Sequence, residues 1–370
     1  MKKISSFQFN SLIWFVMRAS YIGLSLSNII NISKQDSWIA GFIALILGLI
    51  PLIIFLYLKN YDKTKNIAEI NLTLFKKTGK LINVLLIIGG FLFSLVVFSD
   101  LTFFINSQFL FKTSHLIISI FFIIPIAYAL FKGIKTIAKT SLICFFFVIF
   151  IIICLIIGVT SSIEIENIKP FLVTKKIDLL YSAGIIIAYN IIPLFLLTII
   201  PTNMVTNYNS KKTILFYFLA IISLINAAFL TISVFGSNLA TLYQYPEFNL
   251  FKKFEIGEFI DRIESIFSLE WIIAPIILIT IGLYFVKEII KTTFKTKEKT
   301  NKIIIIIVCL LIVILNEKIF IKETDANNFY KGPMIIIMFF YFFITLLITI
   351  KALLKKYFPN QKRCRSNHNN

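Results

Sequence analysis

The chain has 370 residues, of which 58% are hydrophobic and only 15% are charged, and its formal net charge at pH 7 is +19. A water-soluble domain of this size needs a polar skin that such a composition cannot supply, so lipid must surround most of these side chains. The excess of lysine does not indicate nucleic-acid binding, because the lysines lie in short segments between apolar runs, where they anchor to anionic lipid.

Ten apolar runs follow in chain order, and most approach the ~20 residues that a helix needs to cross a bilayer. They cover residues 10–30, 37–58, 81–104, 114–131, 137–159, 178–200, 212–235, 265–287, 302–317 and 333–354. The ninth run is the weakest, because it is short and soon reaches Glu317 and Lys318. We therefore predict an all-α integral membrane protein with ten transmembrane helices, one membrane domain over 1–357 and a polar, basic tail over 358–370.

The basic residues predict the orientation of the chain. If the N-terminus lies in the cytoplasm, most of the 37 Lys and Arg residues fall in cytoplasmic segments, and most acids near the spans fall in the outer loops. The positive-inside rule then places both termini in the cytoplasm. The first run is long, lacks a small-residue cleavage site and contains Arg18, so it is predicted to be an uncleaved span.

Polar and helix-weakening residues interrupt two of the runs, where no water can satisfy a freed backbone group. They are Gly23, Ser25, Ser27 and Asn28 in the first span, and Ser182, Gly184, Tyr189 and Asn190 in the sixth. These spans open the first and second groups of five, which indicates a 5+5 inverted-repeat, LeuT-like fold with discontinuous helices 1 and 6. Broken helix ends suit a zwitterion such as an amino acid. The alternative is that the small residues only allow close helix packing.

Two further charges lie within the apolar runs. Arg18 either pairs with an acid, faces a water-filled cavity or snorkels to the cytoplasmic interface; we favour snorkelling, because Arg18 lies in the inner half of its span. Asp100, near the outer end of the third span, fits a ligand or ion partner as well as it fits an interfacial position.

The residues that would carry enzyme chemistry are sparse. There are two histidines, His115 and His368, and the spacing of the four cysteines fits neither a zinc site nor a disulfide framework. We expect no enzyme activity, no cofactor and no metal, with an acyltransferase built on His115 and a purely structural scaffold as rival interpretations. The outer segment 256–267 has apolar residues at helical spacing, which predicts an amphipathic helix that is either an anchor or a lid.

The segment 256–271 resembles a motif of the B-subunit permease-like proteins of bacterial spore germinant receptors, in the amino acid–polyamine–organocation transporter superfamily. Their Phe-x-x-Arg-hydrophobic-Glu stretch is similar to Phe259, Arg262 and Glu264, with Trp271 following. Weaker similarities are Trp38 at the entry to the second span and Pro201 after the sixth. The chain departs from the family pattern at Asn28, where a proline is usual, and at Asn190, where an acid is common.

The resemblance implies a nutrient sensor in the inner membrane of a spore, working with an A-type membrane subunit and a C-type lipoprotein. It implies a small nutrient, often an L-amino acid, in a midplane pocket between spans 1, 3, 6 and 8. A transporter-like fold would then serve as a ligand-gated switch. The alternative function is a secondary amino acid transporter coupled to Na⁺ or H⁺.

Overall fold

The computed structural model describes residues 3–20, 24–253 and 264–357, and most of this chain is helical. The first eight helices are α1 (Ser6–Ala19), α2 (Leu24–Ser33), α3 (Ser37–Leu47), α4 (Leu49–Tyr61), α5 (Ile67–Phe75), α6 (Thr78–Gln108), α7 (His115–Lys132) and α8 (Ile134–Gly158). The second eight are α9 (Lys176–Leu196), α10 (Ser210–Ala240), α11 (Pro246–Phe251), α12 (Glu264–Phe267), α13 (Leu269–Phe294), α14 (Glu298–Ile319), α15 (Glu323–Lys331) and α16 (Pro333–Tyr357). Two short strands, β1 (Ile4–Ser5) and β2 (Val205–Thr206), pair in parallel.

Within these ranges, eight helical segments are long and apolar enough to cross a membrane, so the chain is a multi-pass membrane protein. They are Ser25–Tyr61, Thr78–Gln108, His115–Lys132, Ile134–Gly158, Lys176–Ile199, Ser210–Ala240, Ser265–Phe294 and Glu323–Tyr357. The eight include neither α1, which has 14 residues, nor α14, which holds the ninth predicted span. The number of ten spans therefore stays a prediction.

Burial separates the centre of the helix bundle from its rim. In the most apolar stretch of α9, 89% of the residues are buried, whereas the corresponding share is 28% in α7 and in α8. Phe121 on α7 and Ile157 on α8 expose 68% and 70% of their surface. Exposed apolar side chains on this scale indicate contact with lipid. The central helices are α9 and α1, which is buried along almost all of its length.

Small residues bring α6 and α13 into close contact at the middle of the bundle. A Cβ atom added at Gly282 of α13 would lie 1.9 Å from the Ser94 Oγ atom of α6. One added at Gly90 of α6 would lie 3.1 Å from the ring of Phe285. Here the packing interpretation of small residues in membrane helices is correct, since no larger side chain fits at Gly282 without movement.

The first and sixth spans differ in continuity. The first is divided into α1, which ends at Ala19, and α2, which begins at Leu24; Gly23 lies outside the described residues. The sixth is one α-helix through Gly184 to Leu196, followed by a 3-10 turn. The predicted discontinuity of helix 6 at Gly184 is therefore wrong. The Asn190 side-chain amide donates to the Ile186 carbonyl one turn back, at 3.1 Å, so this polar residue bonds to its own helix.

Candidate ligand site and the buried charges beside it

The carbonyl of Ser20, directly after α1, is a meeting point of three helices. It accepts hydrogen bonds from the hydroxyls of Ser25 in α2 and Tyr330 in α15, both at 3.0 Å. The Ser20 hydroxyl lies 3.3 Å from the Asn190 Oδ1 atom of α9. Side chains thus satisfy the end of α1, as a buried helix terminus requires. They are also the groups that a polar ligand would have to replace.

An aromatic stack forms one wall of this site. The rings of Tyr189 in α9 and Tyr330 in α15 lie 4.5 Å apart and 15° from parallel. The Tyr189 hydroxyl donates to the Tyr330 carbonyl at 3.5 Å, and the Asn28 side chain of α2 lies next to this hydroxyl. Four of the predicted ligand residues are therefore brought together around Ser20, namely Ser25, Asn28, Tyr189 and Asn190, and all four are buried.

The other predicted ligand residues lie elsewhere. Ser182 bonds to the Ser33 hydroxyl at the end of α2, at 2.5 Å. Ser27 donates to the Tyr243 carbonyl at 3.4 Å. Gly184 is half-buried in α9, and an added Cβ atom would meet no described atom within 4 Å. It therefore marks neither a helix break nor a close packing contact.

Arg18, in the last turn of α1, is buried together with two acids. Its Nε atom lies 2.9 Å from the Glu270 Oε1 atom, and a terminal guanidinium nitrogen donates to Glu247. A third contact reaches the Ser223 carbonyl at 3.5 Å. The relative exposures of Arg18, Glu247 and Glu270 are 1%, 2% and 0%. The expectation that Arg18 snorkels is therefore wrong: the side chain pairs with acids inside the bundle.

The dipoles of the three helices stabilise the charges of Arg18, Glu247 and Glu270. Arg18 lies at the C-terminal end of α1, where the helix dipole favours a cation, whereas Glu247 and Glu270 lie in the first turns of α11 and α13, where it favours anions. Sequence reasoning missed both acids as site residues. A usable signal was present for Glu270, which lies inside the predicted span 265–287, where an acid is costly unless it is paired.

Asp100 belongs to a second acidic group, in the C-terminal part of α6. It is half-buried, and its charge interacts with that of Glu323 in α15. The Glu323 Oε1 atom accepts hydrogen bonds from the Tyr245 hydroxyl at 2.5 Å and from the Gln244 amide at 2.6 Å. Burial, with smaller contributions from the charges of Asp100 and Glu323, holds the pKa of Tyr245 well above its usual value. Tyr245 therefore stays a hydrogen-bond donor.

A buried lysine joins the N-terminal end of α1 to the chain after α9. The ammonium group of Lys59 in α4 donates to the Ile200 carbonyl and lies 4.6 Å from the ring centroid of Phe9 and 5.7 Å from that of Tyr208. Pro201 follows in the chain and lines a neighbouring cavity of about 380 Å³. Together with the β1–β2 pair, these contacts close this end of the bundle.

Asp36 and Trp38 fix the C-terminal end of α2, where the chain turns into α3. The buried Asp36 carboxylate accepts hydrogen bonds from the backbone N–H groups of Leu172 and Thr174, both at 2.9 Å. Trp38 packs edge-on against Phe171 and Phe229, at 6.2 and 5.9 Å. These residues join the start of α3 to the loop before α9 and to α10.

Part of the predicted motif lies outside the described residues, namely Phe259, Arg262 and most of the amphipathic segment 256–267. Glu264 is the first residue of α12. Trp271 is buried, with its ring 4.9 Å from that of Phe104 and 5.6 Å from that of Tyr245. It therefore packs directly after Glu270 in the wall beside Arg18.

His115 has a partner that the sequence did not reveal. Its Nδ1 atom lies 2.8 Å from the Glu317 Oε1 atom, and its ring stacks on Phe103 at 4.3 Å. Ser119 donates to the same carboxylate oxygen at 3.0 Å. Among the described residues, no group of three His, Cys, Asp or Glu side chains is arranged to hold a metal ion.

Fold and site together define the class: a multi-pass helical membrane protein of the LeuT transporter type, with a polar site where its divided first span meets α9. Two solved structures share this fold. A mutant of the manganese transporter of Eremococcus coleocola aligns with a TM-score of 0.57 and 11% identity over 96% of this chain and 88% of that chain. The same transporter in complex with an aromatic bis-isothiourea substituted compound aligns with a TM-score of 0.51 and 12% identity over 94% and 86%.

The sequence comparison identifies the family. The model of the family described as spore germination protein matches residues 3–323, and the chain belongs to this family. No curated protein matches this sequence. The predicted membership of the spore germination permease family is confirmed, as is the all-α, LeuT-like fold class.

Proposed function

We propose that this chain is the nutrient-sensing membrane subunit of a spore germinant receptor and that its transporter fold works as a ligand-gated switch. The ligand is a small zwitterion, an L-amino acid in the first instance. One observation supports this most directly: in a chain of the spore germination family, α1 ends at Ala19, and the buried Ser20 carbonyl that follows it accepts hydrogen bonds from hydroxyl groups of α2 and α15.

The two helix ends explain how a zwitterion would be recognised. The carbonyl end of α1 suits an ammonium group, and the amino end of α2 suits a carboxylate. The hydroxyls of Ser25 and Tyr330 now bond to the Ser20 carbonyl, so an ammonium group must replace them. Losing the Tyr330 bond would free α15 from α1. The switch has one conformation with this bond and one without it. To move their ratio from 1:99 to 99:1, the ligand must bind the second conformation about 5.5 kcal/mol more tightly than the first.

The substitution Tyr330→Phe tests this mechanism. It removes one hydrogen bond that the ligand must break, worth about 1 kcal/mol, so the variant should bind the amino acid roughly fivefold more tightly. Binding is measured by the thermal shift of the purified chain with each of the common amino acids. Tyr341→Phe, at a buried tyrosine of α16, is the control. If no amino acid shifts the unfolding midpoint of either protein, the proposed ligand class is wrong.

Topology and partners complete the proposal. We place both termini in the cytoplasm, on the distribution of basic residues, and the protein in the spore inner membrane. An A-type membrane subunit and a C-type lipoprotein would read the state of the switch, as in the receptors that the family serves. Co-purification of all three from spore membranes with a tagged chain tests this assignment, and recovery of the tagged chain alone would contradict it.

A secondary amino acid transporter coupled to Na⁺ or H⁺ is the second candidate, because both solved neighbours are described as a transporter. Uptake of a labelled amino acid into vesicles, abolished when the ion gradient is collapsed, would favour it; binding without uptake would favour the switch. Catalysis is not proposed: the contact of the His115 Nδ1 atom with the Glu317 carboxylate, at 2.8 Å, supports a structural role for this histidine, and His115→Ala should keep the nutrient response.

A further inference from the structure

The ion cluster formed by Arg18, Glu247 and Glu270 is unbalanced in charge. With all three groups ionised, it holds two negative charges and one positive charge, and each residue is at least 98% buried. An uncompensated charge in such surroundings is strongly unfavourable, and a buried group of this kind normally gains a counter-charge or becomes neutral.

Within the described residues, the surrounding helices place no second cation beside the cluster. The charged groups that act on Glu270 are Arg18 from α1 and Glu247 from α11. From α10 the cluster receives the uncharged Ser223 carbonyl. On α6 and α15 the lysines Lys80 and Lys331 are exposed, and the half-buried ionisable groups are the acids Asp100 and Glu323.

Further along α13, Lys287 is engaged with its neighbour Glu288, at 2.8 Å. Among the described residues, the excess negative charge of the cluster therefore has no side-chain cation to balance it.

Glu270 is the carboxylate of the cluster that has an oxygen atom free to take a proton. Its Oε1 atom lies 2.9 Å from Arg18, whereas its Oε2 atom is buried without a hydrogen-bond partner. Glu247 keeps a small exposed fraction of its side chain, 3% against 0% for Glu270. The amino end of α13 favours an anion at Glu270, but this fractional charge is smaller than the full excess charge of the cluster.

We propose that the Arg18–Glu247–Glu270 cluster is a proton-binding site and that Glu270 carries one proton while Arg18 of α1 pairs with Glu247 and Glu270. The proton makes the cluster neutral; its loss leaves one excess negative charge that weakens the contact of α1 with α13. Because Arg18 is two residues before Ser20, protonation would be linked to the end of α1 that borders the candidate ligand site. This inference concerns proton binding and holds whether or not the ligand is an amino acid.

Infrared spectroscopy of the full chain in lipid vesicles tests the proposal directly. At neutral pH the wild-type protein should show the carbonyl band of a protonated carboxylic acid, and Glu270→Gln should lose it. The glutamine variant keeps the Arg18–Glu247 pair and is neutral, so it should fold. Glu288→Gln, on the same helix, is the matched control and should keep the band.

Three outcomes would overturn the proposal. The first is a wild-type spectrum without the band. The second is a band that survives Glu270→Gln and Glu247→Gln but disappears in Asp100→Asn, which would assign the proton to the second acidic group. The third is a missing band together with stabilisation by NaCl or KCl but not by choline chloride, which would make the site a metal-cation site.

Thermal unfolding gives an independent measurement. A proton bound in the folded protein and released on unfolding stabilises the fold most at low pH, so stability should fall as the pH rises from about 5 to about 8. Glu270→Gln should abolish the part of this dependence that the cluster contributes, whereas Glu288→Gln should not. A pH profile that is unchanged in Glu270→Gln would contradict the proton site.

Discussion

The helices α1 and α9, from the first and sixth spans, are both deeply buried, yet their polar residues find hydrogen-bond partners in different ways. In the first span α1 ends at Ala19, and the buried carbonyl of Ser20, which has no partner within its own helix, accepts hydrogen bonds from hydroxyl groups of two other helices. In α9 the polar Asn190 bonds to a carbonyl of its own helix, which continues to Leu196. A buried helix can end only where other elements satisfy its backbone, and α1 has such neighbours.

The first span and α9 also differ in charge. The end of α1 carries Arg18, which two acids from α11 and α13 hold in place. The most apolar stretch of α9 is buried almost throughout, and apolar packing supports it. The first span therefore depends on charge and protonation, whereas α9 depends on apolar packing. Three substitutions sharpen or break this comparison.

The largest effect is expected for Arg18→Ala. Removing the guanidinium leaves Glu247 and Glu270 buried beside each other without a cation, which should cost about 3–5 kcal/mol of unfolding free energy. Unfolding by a denaturing detergent measures this loss, with the exposed Lys112→Ala as control. A loss as small as that of the control would mean that α1 does not depend on the charge cluster.

A smaller loss is expected for Gly282→Ala, between α6 and α13. The new Cβ atom would lie 1.9 Å from the Ser94 Oγ atom, so the Ser94 hydroxyl must leave its hydrogen bond to the Gly90 carbonyl or one helix must shift, at a cost of about 1–3 kcal/mol. The double variant with Ser94→Ala should recover part of this loss, because the nearest clashing atom is gone. Additive losses in the double variant would show that the clash lies elsewhere.

The smallest effect, of opposite sign, is expected for Gly184→Ala. This glycine lies within a continuous helix, and an added Cβ atom meets no described atom within 4 Å. Alanine should therefore stabilise α9 by about 0.5–1 kcal/mol. The same titration measures the gain, and ligand binding should be unchanged. Loss of ligand binding in this variant would restore Gly184 to the site.

Much of the fold was predictable, because the hydropathy of a segment reflects its free energy of transfer from water into lipid. This free energy depends on the residues of the segment and not on the helices that pack around it. The candidate site was predictable in part: Ser25, Asn28, Tyr189 and Asn190 meet around Ser20, whereas Ser27 and Ser182 bond elsewhere. Gly184 was misread because glycine weakens a helix by only about 1 kcal/mol, which lipid-embedded hydrogen bonds easily exceed.

The sequence by itself determined that lipid surrounds this protein, that its fold is helical and which family it belongs to. A helix in lipid satisfies its own backbone hydrogen bonds, so each span can be recognised from its own run of apolar residues. Only the tertiary structure decided which polar groups meet. Arg18 finds Glu247 and Glu270, and Ser20 finds Tyr330, across more than two hundred residues of sequence. Such pairings depend on how the helices pack, and no local pattern of residues encodes the partner.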